Sequence, residues 1–431
     1  MEYLPILFLV LSFIGLLLIG VPVAWSIAIS SLLTMMTSIS MLPALTTVSQ
    51  RMATGLDSFA LLAIPFFVLS GQLMNKGGIA HRLIDFAKTL VGSLPGGLAL
   101  INVIAAMLMG AIAGSAMASA SAMGSILGPE MEKEGYSKEF GAAVNITSST
   151  TGLIIPPSNV LIVYSLASGG VSIAALFLAG YIPGIITGLF LMIVASFWAK
   201  KKGYKVGKRS TLKEVWRTFV RAFPSLMLLV VVIGGIVVGI FTATEASAIA
   251  VLYTLILGFV YKEIKYKDLP QILLDSCGTT AIVMLLIGAS MSMSWVMSYE
   301  NIPQSISSVL LTVSDNPIVI LLIINLILLF VGVFMDMTPA VLIFTPIFLP
   351  IIVELGMDPI QFGIIMVMNL SVGLCTPPVG SVLFVGVGIA GTTIEKVIKP
   401  LLPLFIAMIV ALFLVTYFPE LSLWLPSLFD L

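Results

Sequence analysis

Long apolar stretches alternate along the chain with short polar or Gly- and Pro-rich interruptions, from Leu4 to a last apolar segment ending near Tyr417. Many of these stretches reach the roughly 17 to 25 residues that a helix needs to cross a hydrocarbon core. The pattern therefore predicts an all-α polytopic membrane protein. The first run follows only Met1, Glu2 and Tyr3, has no basic n-region and shows no small-residue cleavage site. It is expected to be a retained helix rather than a leader.

Composition agrees with that reading. Of 431 residues, 59% are hydrophobic and 9% charged, whereas soluble domains carry about 25% charged residues. The mean hydropathy is +1.17, so lipid is the expected solvent and no soluble domain is expected. Net charge is zero, which makes the placement of charge the informative quantity. Lys200, Lys201, Lys202, Lys205, Lys208, Arg209, Lys213 and Arg217 are accompanied by the single acid Glu214. The positive-inside rule assigns this linker to the cytoplasm. An apolar pair of segments then returns the chain to Lys262, Lys265 and Lys267 on the same side. Another span starts after Lys396 and Lys399, and the tail beyond it holds Glu420 and Asp430 but no base. Both termini are accordingly expected in the periplasm of a bacterial inner-membrane protein. Cys277 and Cys375 lack a CxxC or a nearby His and are expected to be packing residues.

The chain also repeats itself. An offset of 221 residues relates Ser115 to Asp336, Pro129 to Pro350, Gly135 to Gly356, Gly152 to Gly373, and Pro156-Pro157 to Pro377-Pro378. Gly20-Val21-Pro22 similarly aligns with Gly239-Ile240-Phe241. The first copy ends at the basic linker whereas the second ends on the opposite side, which is the inverted repeat common among secondary transporters. The expected divisions are residues 1–199 for the first repeat, 200–222 for the linker and 223–431 for the second repeat.

In such folds, paired interruptions at corresponding positions locate the binding site. The first pair is Gly110 to Ser125, where 13 of 16 residues are Gly, Ala or Ser, and Gly332 to Pro339, which carries Asp336. Both are expected to be tips of re-entrant helical hairpins. The second pair is Thr147 to Asn159 and Ser371 to Ser381, each centred on Pro-Pro. Proline has no N–H and disfavours helical geometry in the residue before it. Two discontinuous helices follow, with the carbonyls of Gly152 to Ile155 and Gly373 to Thr376 deprived of helical partners. Such carbonyls are costly in a bilayer, and Na⁺ suits carbonyl and hydroxyl oxygens. The half-helices beginning at Ser158 and Val379 would aim their positive ends at a substrate carboxylate. Among the acids, Asp336 lies at membrane depth and is a functional-site candidate. Glu245 is expected to cap a helix, and Asp57 and Glu300 to be solvated near helix ends. His81 beside Arg82 is a poor proton relay.

Leu62 to Gly71 (LAIPFFVLSG), Gly114-Ser115-Ala116, Ile155-Pro156-Pro157-Ser158 and Thr376-Pro377-Pro378-Val379-Gly380 resemble the large membrane subunit of TRAP transporters, the M subunit or DctM-like permease. The likeness covers essentially the whole chain. It implies an elevator-type Na⁺ symporter that works with a small four-helix membrane subunit (Q subunit), here a separate chain, and a periplasmic substrate-binding protein (P subunit). It also implies one Na⁺ near Ser115, Gly152, Ile155 and Pro157 and another near Asp336, Gly373, Thr376 and Pro378. Substrate is expected between them, against Ser115, Ser158, Asn159, Thr338 and Ser381. The stretch Ser149 to Asn159 is similar to the sialic acid subgroup, which favours N-acetylneuraminate over a C4-dicarboxylate. Two rival readings remain. One is a stand-alone Na⁺- or H⁺-coupled organic anion transporter of related architecture. The other is an intramembrane enzyme, which the scattered acids and single His argue against.

Overall fold

The structure, a computed structural model, describes residues 4–204, 207, 209–314 and 316–431. Met1, Glu2, Tyr3, Lys205, Val206, Lys208 and Asp315 lie outside the described residues, as do the side chains of Ala80, residues 110–113 and Leu311. Lys205 and Lys208 belong to the basic run noted above, and residues 110–113 open the small-residue stretch.

Glycines and prolines divide the apolar sequence into helices. In the first half these are α1 (Leu4–Leu18), α2 (Val23–Met35), α3 (Met41–Gly55), α4 (Ala63–Lys76), α5 (Ile79–Val91), α6 (Gly97–Ala113), α7 (Ala116–Lys133), α8 (Lys138–Thr151), α9 (Asn159–Ala167) and α10 (Ile173–Lys202). The second half holds α11 (Leu212–Val237), α12 (Ala243–Val260), α13 (Leu269–Tyr299), α14 (Ile302–Val313), α15 (Pro317–Phe334), α16 (Met337–Glu354), α17 (Pro359–Gly373), α18 (Ser381–Ala390), α19 (Ile394–Tyr417) and α20 (Glu420–Ser427). Eight helices among the described residues are long and apolar enough to cross a membrane.

The offset of 221 carries α7 onto α16 residue for residue, and α6, α8 and α9 onto α15, α17 and α18 to within a residue or two. The copies diverge elsewhere for local reasons. Residues 56–58 separate α3 from the segment leading into α4, whereas α13 runs unbroken through the corresponding stretch. Pro419 ends the counterpart of α10 early and starts the short α20.

Contacts at the helix ends establish the inversion. The Ser137 backbone N–H at the start of α8 donates to the Tyr204 hydroxyl just past α10, at 3.3 Å, and the Ser196 hydroxyl donates to the Pro95 carbonyl before α6. The α6–α7 hairpin and α8 thus begin on the linker side. At the opposite side, Tyr164 of α9 donates to the Pro359 carbonyl and Tyr417 to the Ile318 carbonyl, so α15 and α17 begin there. Lys399 at the start of α19 shares a cavity wall with Lys201 and Lys202 at the end of α10, so α10 and α19 run in opposite directions. Each hairpin returns to the side it came from and is re-entrant.

The hairpins interlock the two halves. α7 packs on α8 of its own half and on α18 of the other, while α16 packs on α17 of its own half and on α9 of the other. α8 and α17 sit at the centre, buried from Ala142 to Thr151 and from Gln361 to Gly373. Interhelical hydrogen bonds fasten them to the hairpins: Ser148 to Asn102, Asn145 to the Ala120 carbonyl, and Asn369 to the side chain and carbonyl of Asn325. Such bonds contribute about 0.6 to 2 kcal/mol each in a membrane. Around this core, α4 packs on α12 and α13 packs on α2 and α3.

Several expectations change in detail. Within the stretch read as a linker over 200–222, residues 200–202 are the end of α10 and residues 212–222 the start of α11, because Gly203 in left-handed geometry ends α10 and a Thr211–Glu214 capping box starts α11. Glu245 caps α12 as expected, in a second such box with Thr242. Each hairpin break is only two residues long, Gly114-Ser115 and Met335-Asp336. Cys375 is buried, but Cys277 is exposed on α13.

Candidate functional site

Both Pro-Pro segments interrupt a buried helix. Between α8 and α9, the Gly152, Ile154 and Ile155 carbonyls accept no hydrogen bond from the described residues, since Pro156 and Pro157 have no N–H to offer. The Leu153 carbonyl is an exception to the expectation from sequence, for it accepts the Ser158 hydroxyl at 2.6 Å. Between α17 and α18, Gly373 and Leu374 also depart from it. The Gly373 carbonyl accepts Thr376 N–H at 2.9 Å, and the Leu374 carbonyl accepts Val382 N–H at 3.2 Å. Cys375 and Thr376 keep unengaged carbonyls among the described residues. The loop doubles back tightly at Gly380, where an added Cβ would stand 2.8 Å from both the Leu374 and Thr376 oxygens. Gly380, not Val379, is therefore the residue that precedes α18.

The hydroxyl run of α8 is also spent locally. Thr147, Ser149, Thr150 and Thr151 donate to their own helix's carbonyls three or four residues back, and Thr376 does the same to Val372. A hydroxyl that donates retains lone pairs, so these oxygens can still face a cation.

A cavity of about 340 Å³ lies where the hairpin tips and half-helix starts converge. Its lining repeats the internal symmetry of the sequence: Ser115 with Asp336, Ala116 with Met337, Met117 with Thr338, Leu153 with Leu374, and Val160 with Ser381, each pair 221 residues apart. Corresponding residues of two oppositely inserted copies therefore enclose one space. The symmetry breaks where chemistry is concentrated. The Ser115 hydroxyl oxygen caps α7 by accepting Ala118 N–H at 3.3 Å, whereas Asp336 precedes α16 without a side-chain capping bond. Among the described residues no cation pairs with Asp336. Asn159 lies against Gly114 at the hairpin tip of its own half, and its side chain makes no hydrogen bond to the described residues. The Ser381 hydroxyl is buried without a partner among the described residues. One carboxylate, an amide, free hydroxyls and the N-terminal ends of α9 and α18 thus face the same cavity. Among the described residues no group of three His, Cys, Asp or Glu side chains could hold a metal ion.

Of the residues expected at the site, Ser115, Asn159, Asp336, Thr338 and Ser381 line the cavity. Gly152, Ile155, Pro157, Gly373, Thr376 and Pro378 occupy the two breaks but are not part of its wall. Ser158 is buried, its hydroxyl turned toward Leu153. The sequence reading missed the opposite wall. Ile64, Val68, Gly71, Gln72 and Asn75 form one face of α4, and Thr279, Ile282, Val283 and Leu286 one face of α13. Gln72 and Asn75 were detectable in principle as a polar i, i+3 pair at the end of an apolar helix.

A family model described as "Tripartite ATP-independent periplasmic transporter, DctM component" matches residues 10–421. The chain belongs to this family. It is one component of a tripartite, ATP-independent transporter and spans the membrane several times. It is 56% identical over 429 residues to the uncharacterized protein YgiK of Salmonella typhimurium, covering 99% of each chain. It is 39% identical to the C4-dicarboxylate TRAP transporter large permease protein DctM of Rhodobacter capsulatus, covering 96% of this chain and 97% of that one. To the sialic acid TRAP transporter large permease protein SiaM of Vibrio cholerae it is 38% identical, covering 97% and 98%. Among solved structures, the YdaH transporter of Alcanivorax borkumensis superposes with a TM-score of 0.69 at 13% identity, covering 90% of this chain and 91% of that one. That likeness concerns the fold alone.

Proposed function

We propose that this TRAP large subunit imports a small organic acid, N-acetylneuraminate or a C4-dicarboxylate, by Na⁺ symport. The reading rests above all on the symmetric cavity, in which a carboxylate without a cation partner among the described residues and two half-helix N-termini meet, beside the stranded carbonyls of the two breaks. Na⁺ ions are bound as co-substrates, one among Ser115 and the carbonyls of the 152–157 break, the other among Asp336 and those of the 373–378 break. The substrate carboxylate sits between them at the starts of α9 and α18, where orphan N–H groups and the helix dipoles favour an anion. The volume falls within the roughly 300 to 1,000 Å³ usual for small-molecule sites. Names of relatives support both substrates, and identities of 39% and 38% do not choose between them. The similarity over Ser149 to Asn159 favours the sialic acid.

The hairpins and broken helices move as a unit past the face formed by α4 and α13, in an elevator cycle. The basic linker side faces the cytoplasm and the termini the periplasm, as the distribution of lysine and arginine favours. A separate small membrane subunit and a periplasmic binding protein complete the transporter. Reconstitution in liposomes with an inward Na⁺ gradient tests this. Uptake should require both partners, and rapid uptake by this chain alone would favour the stand-alone reading instead. Within the assembled system, Asn159→Ala should raise the apparent KM for substrate about tenfold, the effect of losing about 1.4 kcal/mol of hydrogen bonding. Its sodium dependence should stay near wild type. An unchanged KM would remove Asn159 from the substrate site.

A further inference from the structure

A second cavity, of about 480 Å³, lies apart from the central one on the linker side, where the turn between α4 and α5 meets α11 and the end of α12. Four formal charges line it: Arg82 and Asp85 on α5, Arg221 on α11, and Glu263 beyond α12. The ion pairs among the described residues are Lys76–Asp275, Lys88–Glu130 and Lys138–Glu132, so none of these four is paired within ion-pair reach. Two cations and two anions thus share one wall with no ion pair closed between them among the described residues. Arg82 is held in place, its guanidinium 3.6 Å above the Tyr261 ring and donating to the Gly78 carbonyl at 2.7 Å. The Tyr261 hydroxyl, on the same wall, is buried with no hydrogen-bond partner among the described residues.

The neighbouring surface is apolar. Trp216, Val220 and Phe223 are exposed at spacings of four and three along α11, which places them on one face, and Val220 also lines the cavity. Exposed tryptophan marks the level of lipid headgroups. The cavity therefore opens at the depth where headgroups lie, next to a strip that acyl chains can cover.

We propose that this cavity holds the headgroup of an aminophospholipid from the linker-side leaflet. Its phosphate meets Arg82 and Arg221, its primary ammonium meets Asp85 and Glu263, and its chains run along Trp216, Val220 and Phe223. The pairing of charges selects the phosphoethanolamine group. A quaternary choline has no N–H to donate to the two carboxylates, and a glycerol headgroup brings no cation to offset them.

Native mass spectrometry of the full chain in detergent, titrated with phosphatidylethanolamine, phosphatidylglycerol and phosphatidylcholine of identical acyl chains, tests the site. One phosphatidylethanolamine per chain should be retained about tenfold more tightly than either other lipid, the effect of one charge-assisted pair of contacts. Arg221 and Glu263 are both exposed, so Arg221→Gln and Glu263→Gln should fold normally and each abolish that preference. Equal retention of the three lipids overturns the proposal, as does a preference that survives both substitutions. Soluble phosphoethanolamine should displace the lipid only weakly. Displacement at equal concentration would assign the cavity to a soluble ligand and exclude the lipid.

Discussion

Replacement of Asp336 by Asn should lower sodium-driven uptake about 30- to 100-fold at limiting sodium, with much of the loss recovered at high sodium. Asp336 is a carboxylate on the central cavity wall that neither caps its own helix nor pairs with a cation among the described residues. An acid at membrane depth without a paired cation is costly, and a bound cation reduces that cost. Contacts to a charged group are worth about 1.5 to 3 kcal/mol, and 2 to 3 kcal/mol corresponds to the stated range. The amide retains the shape but not the charge, so the defect should appear in the sodium concentration that gives half-maximal rate rather than in the amount of folded protein. Uptake by Asp336→Asn with wild-type sodium dependence would exclude this carboxylate from the ion site.

Gly373→Ala should abolish transport and lower the unfolding temperature. Gly373 ends α17 against Gly332 of α15, and a Cβ added there would stand 2.5 Å from the Gly332 Cα and 2.6 Å from its carbonyl carbon. These obstacles are backbone atoms and cannot rotate away. Overpacking costs about 1 to 3 kcal/mol where side chains can adjust, so the cost here should reach or exceed that upper figure. The same contact joins the second hairpin to the arm that leads into the 374–380 break, so whatever separates them also disturbs the cavity wall. Gly388→Ala is the matched control, because nothing lies within 4 Å of the added atom and Gly388 sits inside α18. It should transport normally and be as stable as wild type or slightly more so. Equal behaviour of the two variants would show that the 332–373 approach is not required.

Much of this arrangement was legible before any coordinates. Proline cannot continue a hydrogen-bonded helix, so Pro156-Pro157 and Pro377-Pro378 announced the two breaks, and the shared offset paired Ser115 with Asp336 across what proves to be one cavity wall. Other parts were hidden for physical reasons. The fate of each freed carbonyl depends on how the loop folds, which is why Leu153, Gly373 and Leu374 find partners within the chain. The hydroxyls of Thr147 to Thr151 looked available as a group, yet bond mainly to the backbone of their own helix. Gln72, Asn75 and Thr279 reach the cavity from elements distant in sequence, and only packing brings them there. Lipid is as apolar as a protein interior, so the sequence could not tell a buried face from a lipid-facing one. Cys277, expected inside and found outside, is the simplest instance.

We propose that two oppositely inserted broken-helix units bind sodium on this chain itself. The most direct test is the unfolding temperature of the purified chain in sodium chloride, compared at equal ionic strength with potassium chloride and choline chloride. Sodium alone should raise that temperature, with a saturating concentration dependence, because a ligand bound only by the folded state stabilises it. Identical unfolding temperatures in the three salts, at sodium concentrations that saturate transport, would contradict the account.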